Sequence, residues 1–238
     1  MLDGARVAVI VPSYREARLL RRMLPKIPDF VDSVYVVDDA SGDETPSVVR
    51  NASDPRFVCL THTENRGVGA AIVSGYRAAL GDGHDVLAVM AGDDQMHPDD
   101  LAPLVRAVLA GADYAKGNRF VHAEARRMPP LRRAGGEFFS LLTRLTTGLR
   151  VSDSQCGYTA LAARAAAVLP LGELFPRYGY PNDLLGMLAA RRLRVVEVPV
   201  CPVYADENSG LRPWHAARIP FVIARRWWKE RGSETRAS

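Results

Sequence analysis

Apolar and polar positions along the first half of the chain alternate between two periods. Residues 6–11 (RVAVIV) read as a buried strand that Pro12 ends. Over residues 16–27, Leu19, Leu20, Met23, Leu24 and Ile27 recur on one helical face. Residues 34–37 form a second predicted strand with Asp38 and Asp39 at its C-terminal end, followed by a short helix over 45–50 and a third strand over 57–61. Residues 67–80 predict a helix whose small residues (Gly69, Ala70, Ala71, Ser74, Gly75) suit close packing on a sheet. A fourth strand over 86–90 leads to a helix over 98–110, with Pro98 at its start, where a missing N–H costs least. Residues 114–116 make a short fifth strand. This alternation predicts βαβ units: an α/β fold with a Rossmann-like sheet of mainly parallel strands and helices on both faces. Ligands of such sheets lie beyond the C-terminal strand ends. Residues 12–16, 38–43, 91–95 and 117–119 therefore share one rim.

The second half is less regular. Residues 135–147 read as an amphipathic helix through Phe138, Phe139, Leu142, Leu145 and Thr146, residues 183–191 as another helix, and residues 194–198 as a strand ended by Pro199. No repeat, low-complexity stretch or linker interrupts them. One continuous domain over 1–210 is expected, followed by a basic, aromatic helical tail over 211–238.

Composition adds limits. With 47% hydrophobic and 24% charged residues, the 238-residue chain is neither disordered nor fibrous. Cys59, Cys156 and Cys201 are too scattered for a disulfide framework or zinc cluster, which favours a reducing compartment. No run approaches the roughly 18 apolar residues of a membrane span, and the N-terminal apolar stretch is too short for a signal peptide. A cytoplasmic protein is expected. Its net charge of +4 is modest, but after Gly210 there are seven Arg and Lys against Glu230 and Glu234. The stretch RIPFVIARRWWKERG (218–232) has two readings: a helix lying in a membrane interface with Trp227 and Trp228 at headgroup depth, or a docked helix with a solvated basic face. The basic tail suggests an anionic partner, here a membrane surface; no nucleic acid is expected.

Three rim segments carry candidate chemistry, each with a plainer alternative. Asp38-Asp39 followed by a Gly turn suits hydrogen bonds from a base N–H or ribose hydroxyls, or it caps the next helix. Asp93-Asp94-Gln95 offers oxygen ligands to a hard divalent cation shared with phosphates, or it is a solvated cap. Arg119 presents a planar donor fork for phosphate oxygens, or it is an ordinary surface residue; Arg132 and Arg133 extend either reading.

Together these segments resemble the inverting family 2 glycosyltransferases of GT-A fold. VPSYREARLL is similar to the opening IPxYNE segment, with Arg15 where Asn is usual. VVDDASGDET resembles the VDDxSxDxT nucleotide-binding segment, NRGVGAAIVSGYRAA the NxGxGxAxxxGxxxA helix, GDDQMHPDDL the metal-binding DxDxQxxP segment, and YAKGNRF the GSR/GNR segment. Within the family, the chain looks most like the polyprenyl- and dolichyl-phosphate mannose or glucose synthases. Asp153-Ser-Gln-Cys-Gly-Tyr158 resembles their D-[ST]-Q-C-G-[FY] stretch, and YPNDLLGMLAARRLRVVEVPV a segment near the acceptor.

The resemblance implies inverting transfer from a UDP- or GDP-sugar to polyprenyl phosphate or another acceptor. It implies Pro12, Tyr14, Glu16, Asp38, Asp39, Asp93, Asp94 and Gln95 at the sugar nucleotide. Asp93 would hold Mg2+ or Mn2+. Arg119, Arg133, Asp153 and Gln155 would face the acceptor. Asp93, Arg119 and Asp183 would be catalytic, with Asp183 the best base for a hydroxyl acceptor, unless it orients the acceptor or caps its helix. Ala91 stands where the first Asp of DxD is usual, so either Asp94 compensates or metal binds through Asp93 and the diphosphate. Ser209-Gly210 stands where the acceptor loop commonly has Ser-Lys, and the pair of C-terminal membrane helices of some relatives is absent. A soluble hydroxyl acceptor, a nucleotidyltransferase and a non-catalytic nucleotide-binding module are the rival readings.

Overall fold

The computed structural model describes residues 1–203 and the backbone of 213–237, with side chains over 217–232 of that last stretch. Strands β1 (Val7–Ser13), β2 (Ser33–Asp38), β3 (Phe57–Thr61), β4 (Val86–Val89), β5 (Tyr114–Asn118), β6 (Thr159–Ala162) and β7 (Val195–Pro199) form one sheet in the order β3-β2-β1-β4-β6-β5-β7. The apolar run of β1 is fully buried because strands flank it on both edges and helices cover its faces. Strands β1 to β4 pair in parallel, as do β5 and β7; β6 is antiparallel to both its neighbours.

Between these strands lie α1 (Ala17–Met23), α2 (Thr45–Asn51), α3 (Val68–Gly81) and α4 (Leu101–Leu109). The chain steps outward from β1 to β3, then jumps back to β4. Right-handed crossovers consequently place α1 and α2 on one face and α3 and α4 on the other. The reversal makes a switch point between the ends of β1 and β4, where doubly wound sheets bind ligands.

Two local readings change. Strand β1 continues through Pro12, paired with Val37 of β2, because β4 stops pairing at Ile10 and no neighbour on that side needs the missing N–H. Strand β6 was not legible: its four residues sit in the Ala-rich run TALAARAAAV, which reads as helix. Only its last part is one, α6 (Ala163–Val168).

The remaining helices are α5 (Pro130–Thr147), α7 (Tyr180–Ala190) and α8 (Pro213–Ala237). Helix α5 turns the predicted amphipathic pattern outward: it buries Gly136, Ser140 and Thr143 and exposes Phe138 and Leu145. Gly136 makes room for the Phe120 ring, 2.8 Å from where a Cβ would stand. Helix α8 packs on α5 and α7 through Ile219, Val222, Ile223 and Arg226. The helix of the tail is therefore docked by one face, while Phe221 and Trp228 on another stay exposed. The expected domain boundary at 210 and the Ser209-Gly210 pair fall outside the described residues.

Candidate active site

Three loops at the switch point are held in unusual backbone conformations. Arg15 after β1, Ala40 after β2 and Asp94 after β4 have φ of 60°, 58° and 57°. Non-glycine residues in this region store strain, and such strain clusters at functional sites. The loops are tied together: Arg15 N donates to Ser41 Oγ (2.9 Å), Asp39 N to Ser13 O (2.9 Å) and Gly92 N to Pro12 O (3.4 Å). Gly92 allows this approach, since a Cβ there would lie 2.9 Å from Glu16 Oε2. Pro12, Glu16 and the 91–95 turn are thus brought together. Tyr14 is 41% exposed at the mouth, with the Arg15 guanidinium 5.1 Å from its ring centroid.

The acidic residues divide by what they face. Asp93 Oδ1 accepts from Gln95 N (3.1 Å), which folds the turn. Burial pushes the Tyr178 phenol up, and the Glu16 and Asp93 carboxylates add to the effect, so all three belong to one cluster. Tyr180, buried beside them, is raised by burial first and by Tyr76, Cys156 and Asp93 after it. Neither tyrosine was singled out from the sequence. The signal lay in the segment YGYPND, where Gly179 (φ 106°) between the two tyrosines opens α7.

Asp94 faces elsewhere. Its carboxylate bridges Lys26 (2.6 Å) and Arg22 (3.2 Å) next to α1. Those two cations occupy both carboxylate oxygens. Asp38 and Asp39 are 2% and 3% exposed and turned inward. Asp38 Oδ1 accepts from Ser41 N (3.0 Å). Asp39 accepts from Arg66 N (2.9 Å), Gly67 N (2.7 Å) and His62 Nδ1 (2.6 Å), while His62 Nε2 lies 2.9 Å from Ser74 Oγ. The Asp39 carboxylate thereby fixes the turn that starts α3, a task the sequence did not disclose because His62 and Gly67 lie over 20 positions away.

At the end of β5, Arg119 and Asp153 form a forked pair, Nε to Oδ2 at 2.7 Å and Nη2 to Oδ1 at 2.9 Å. Burial would raise the Asp153 carboxyl, but the bonds and charge of Arg119, aided by Lys116, hold it below its ordinary value. Asp153 also accepts from Gln155 N and Cys156 N, fixing the 153–156 loop. Gln155 Nε2 donates to Asn182 Oδ1 (2.7 Å), and buried Lys116 donates to Cys156 O (2.5 Å). Burial lowers the pKa of Lys116. Arg133 reaches this group through Phe120, its guanidinium 5.7 Å from the ring centroid, and pairs with Glu137 (2.9 Å).

Asp183, expected as a base unless it orients the acceptor or caps its helix, is turned inward. Its carboxylate has no solvent exposure and takes Arg226 Nε and Nη2, both at 2.8 Å, with Phe175 N at 2.8 Å. That geometry anchors α8 to α7. Among the described residues no group of three His, Cys, Asp or Glu forms a metal cluster.

Comparison with known proteins agrees with this architecture. The profile of glycosyl transferase family 2 matches residues 8–166. The chain is 34% identical over 228 residues to the undecaprenyl-phosphate mannosyltransferase of Micrococcus luteus, covering 93% of each. It is 30% identical to the polyprenol monophosphomannose synthase of Mycolicibacterium smegmatis, over 98% of this chain and 90% of that one. Among solved structures, glucosyl-3-phosphoglycerate synthase from Mycobacterium tuberculosis with Mn2+, UDP and glucosyl-3-phosphoglycerate aligns with a TM-score of 0.72 at 20% identity, covering 94% of this chain and 80% of that one. The sheet and its flanking helices are therefore those of the GT-A fold, and the chain belongs to glycosyl transferase family 2.

Proposed function

We propose that the protein transfers a sugar, with inversion, from a nucleoside diphosphate sugar to the phosphate of a polyprenyl phosphate. One observation carries the choice of acceptor. The candidate base and the two carboxylates bound to the Arg119 loop are saturated: Asp183 by Arg226, Asp153 by Arg119, and Glu197 by Asn118 Nδ2, Ser152 N and Asp153 N. A hydroxyl nucleophile needs a base to take its proton. A phosphate monoester, with a second pKa of about 6, arrives already ionised and needs none. The lipid-phosphate glycosyltransferases that resemble this chain over nine-tenths of its length support the same reading.

In this reading a phosphate oxygen attacks the anomeric carbon from the face opposite the leaving group. The bond from that carbon to the diphosphate oxygen breaks, and the nucleoside diphosphate departs with the electron pair. Tyr14 and Glu16 line the nucleotide cleft. Ser13 Oγ, buried at the end of β1 without a hydrogen-bond partner among the described residues, is a group a ribose hydroxyl would satisfy. Asp153 holds Arg119 by Nε and Nη2, and the outer edge of that guanidinium, with Arg133, offers the charge that receives the acceptor phosphate. One carboxylate, Asp93, fits a Mg2+ or Mn2+ ion, which keeps several waters and takes diphosphate oxygens as its other ligands. Such an ion would offset charge developing on the leaving group.

The test has two stages. Thermal shifts with UDP- and GDP-sugars, with and without Mn2+, select the donor. Radiolabelled sugar is then offered a short-chain polyprenyl phosphate and a panel of hydroxyl acceptors. Label on the lipid phosphate is expected; label on a hydroxyl alone would overturn the reading.

A further inference from the structure

Helix α5 is built inside out. Its inward face carries Gly136, Ser140 and Thr143, while Leu131, Phe138, Leu141 and Leu145 are 87%, 52%, 45% and 74% exposed. Their spacing of 7, 3 and 4 residues places them on one stripe of the helix. Contiguous exposed apolar surface of this kind marks an interaction site. The charges around it have one sign in excess. Between 122 and 150 stand Arg126, Arg127, Arg132, Arg133, Arg144 and Arg150 against Glu124 and Glu137, so 6 − 2 = +4, as large as the net charge of the whole chain. A two-fold contact with a second copy would set these arginines against one another, a like-charge juxtaposition that disfavours self-association.

We infer that the outer face of α5 seats the protein on an anionic lipid bilayer and carries the acceptor loop to headgroup depth. The inference rests on the lipid-phosphate reading above. An amphipathic helix with apolar residues on one face and Arg beside them sinks about 5–10 Å into the boundary between headgroups and acyl chains. Helix α8, packed on α5, adds Phe221 and Trp228, 67% and 71% exposed and one heptad apart, with Arg218, Lys229 and Arg231 also exposed. The tail thereby contributes to the seat, which α5 leads.

The inner face of α5 is wired to the acceptor loop. Ser140 Oγ accepts from Ser154 N (2.9 Å), and Thr143 Oγ1 accepts from Asn182 Nδ2 (2.7 Å). Asn182 in turn holds Gln155, and Gly136 holds Phe120 beside Arg119. A helix with its side chains is roughly 10–12 Å across. With the outer stripe at the acyl boundary, Arg119 and the 153–156 loop stand one helix diameter further out, at the level of lipid phosphates.

Flotation of the full chain with phosphatidylglycerol-containing vesicles and with pure phosphatidylcholine vesicles tests this. Wild type is expected to float with the anionic vesicles at low salt and to lose most binding at high salt. F138Q/L141Q/L145Q should bind at least about tenfold more weakly, since binding scales with buried apolar area, and should keep its circular dichroism and its transfer to a water-soluble short-chain polyprenyl phosphate. Should the triple variant be unstable, L131Q/L145Q alters two sites already open to water and should lose about threefold. F221Q/W228Q should lose less than the α5 triple variant. Wild type left in solution with anionic vesicles would overturn the inference, as would full binding by the α5 variants. A wild-type dimer that the triple variant dissociates, without vesicle binding, would assign the face to a second copy instead. Transfer to the water-soluble acceptor reports on the catalytic reading separately, so the two failures are distinguishable.

Discussion

Replacing Asp183 by Asn separates an anchor from a base. The wild-type carboxylate, without solvent exposure, holds a guanidinium that is 2% exposed through two bonds of 2.8 Å. Asn keeps an acceptor for Phe175 N but removes the charge. Arg226 would be left with Glu230 Oε1 at 3.1 Å and Glu173 O at 3.1 Å. Breaking one side of a buried ion pair costs about 3–5 kcal/mol. Because Glu230 stays, the lower end applies, about 3 kcal/mol. At roughly 2–4 °C per kcal/mol for a chain of this size, Tm should fall by about 6–12 °C. Removing Arg226 as well, in D183N/R226M, should cost less than the sum of the single losses, with a coupling energy of about 1–3 kcal/mol. Calorimetry gives Tm, and initial transfer rates well below the transition give kcat. An anchor predicts lowered Tm with most of kcat retained. A D183N protein with wild-type Tm and abolished kcat would refute the assignment and restore Asp183 as a base.

Other predictions follow from the same geometry. Asp93→Asn should abolish transfer and the Mn2+-dependent thermal shift with sugar nucleotide, while Asp94→Asn, whose carboxylate faces Lys26 and Arg22, should keep kcat within about threefold, well under the roughly 1.4 kcal/mol of a tenfold change. Because the folded Asp153 carboxyl lies below its ordinary 3.8, the pair it forms contributes full stability above the unfolded value near 3.9 and loses it as pH falls through the lower folded value. Urea unfolding of wild type and Asp153→Asn should therefore show a constant difference above about pH 5 that narrows below about pH 4. Gly69→Ala should destabilise by about 1–3 kcal/mol although Ala is the better helix former, because its Cβ would lie 2.3 Å from Phe175 O. Denaturant unfolding measures it, and an unchanged midpoint would remove that contact from the account.

The sequence by itself determined the elements whose signals are local. Short β-branched runs marked β1 to β4, and the apolar face over 16–27, the small residues over 67–80 and Pro98 marked α1, α3 and α4. The strand-end loops followed from that alternation alone, which is why Tyr14, Glu16, Asp93 and Arg119 could be placed at one rim before any coordinates. Direction was not local. Asp38, Asp39, Asp94 and Asp183 are each acidic residues at an element end, as Asp93 is. Whether such a carboxylate faces a ligand or an amide depends on partners brought by other elements: Ser41 for Asp38, His62 and Gly67 for Asp39, Lys26 for Asp94, Arg226 for Asp183. The same holds for α5. Its period was readable, but a period states only that a helix has two unlike faces. Tertiary structure turned the polar face inward, because Ser154 and Asn182 offered it hydrogen bonds and Phe120 filled the space at Gly136, and so left the leucines and Phe138 facing out.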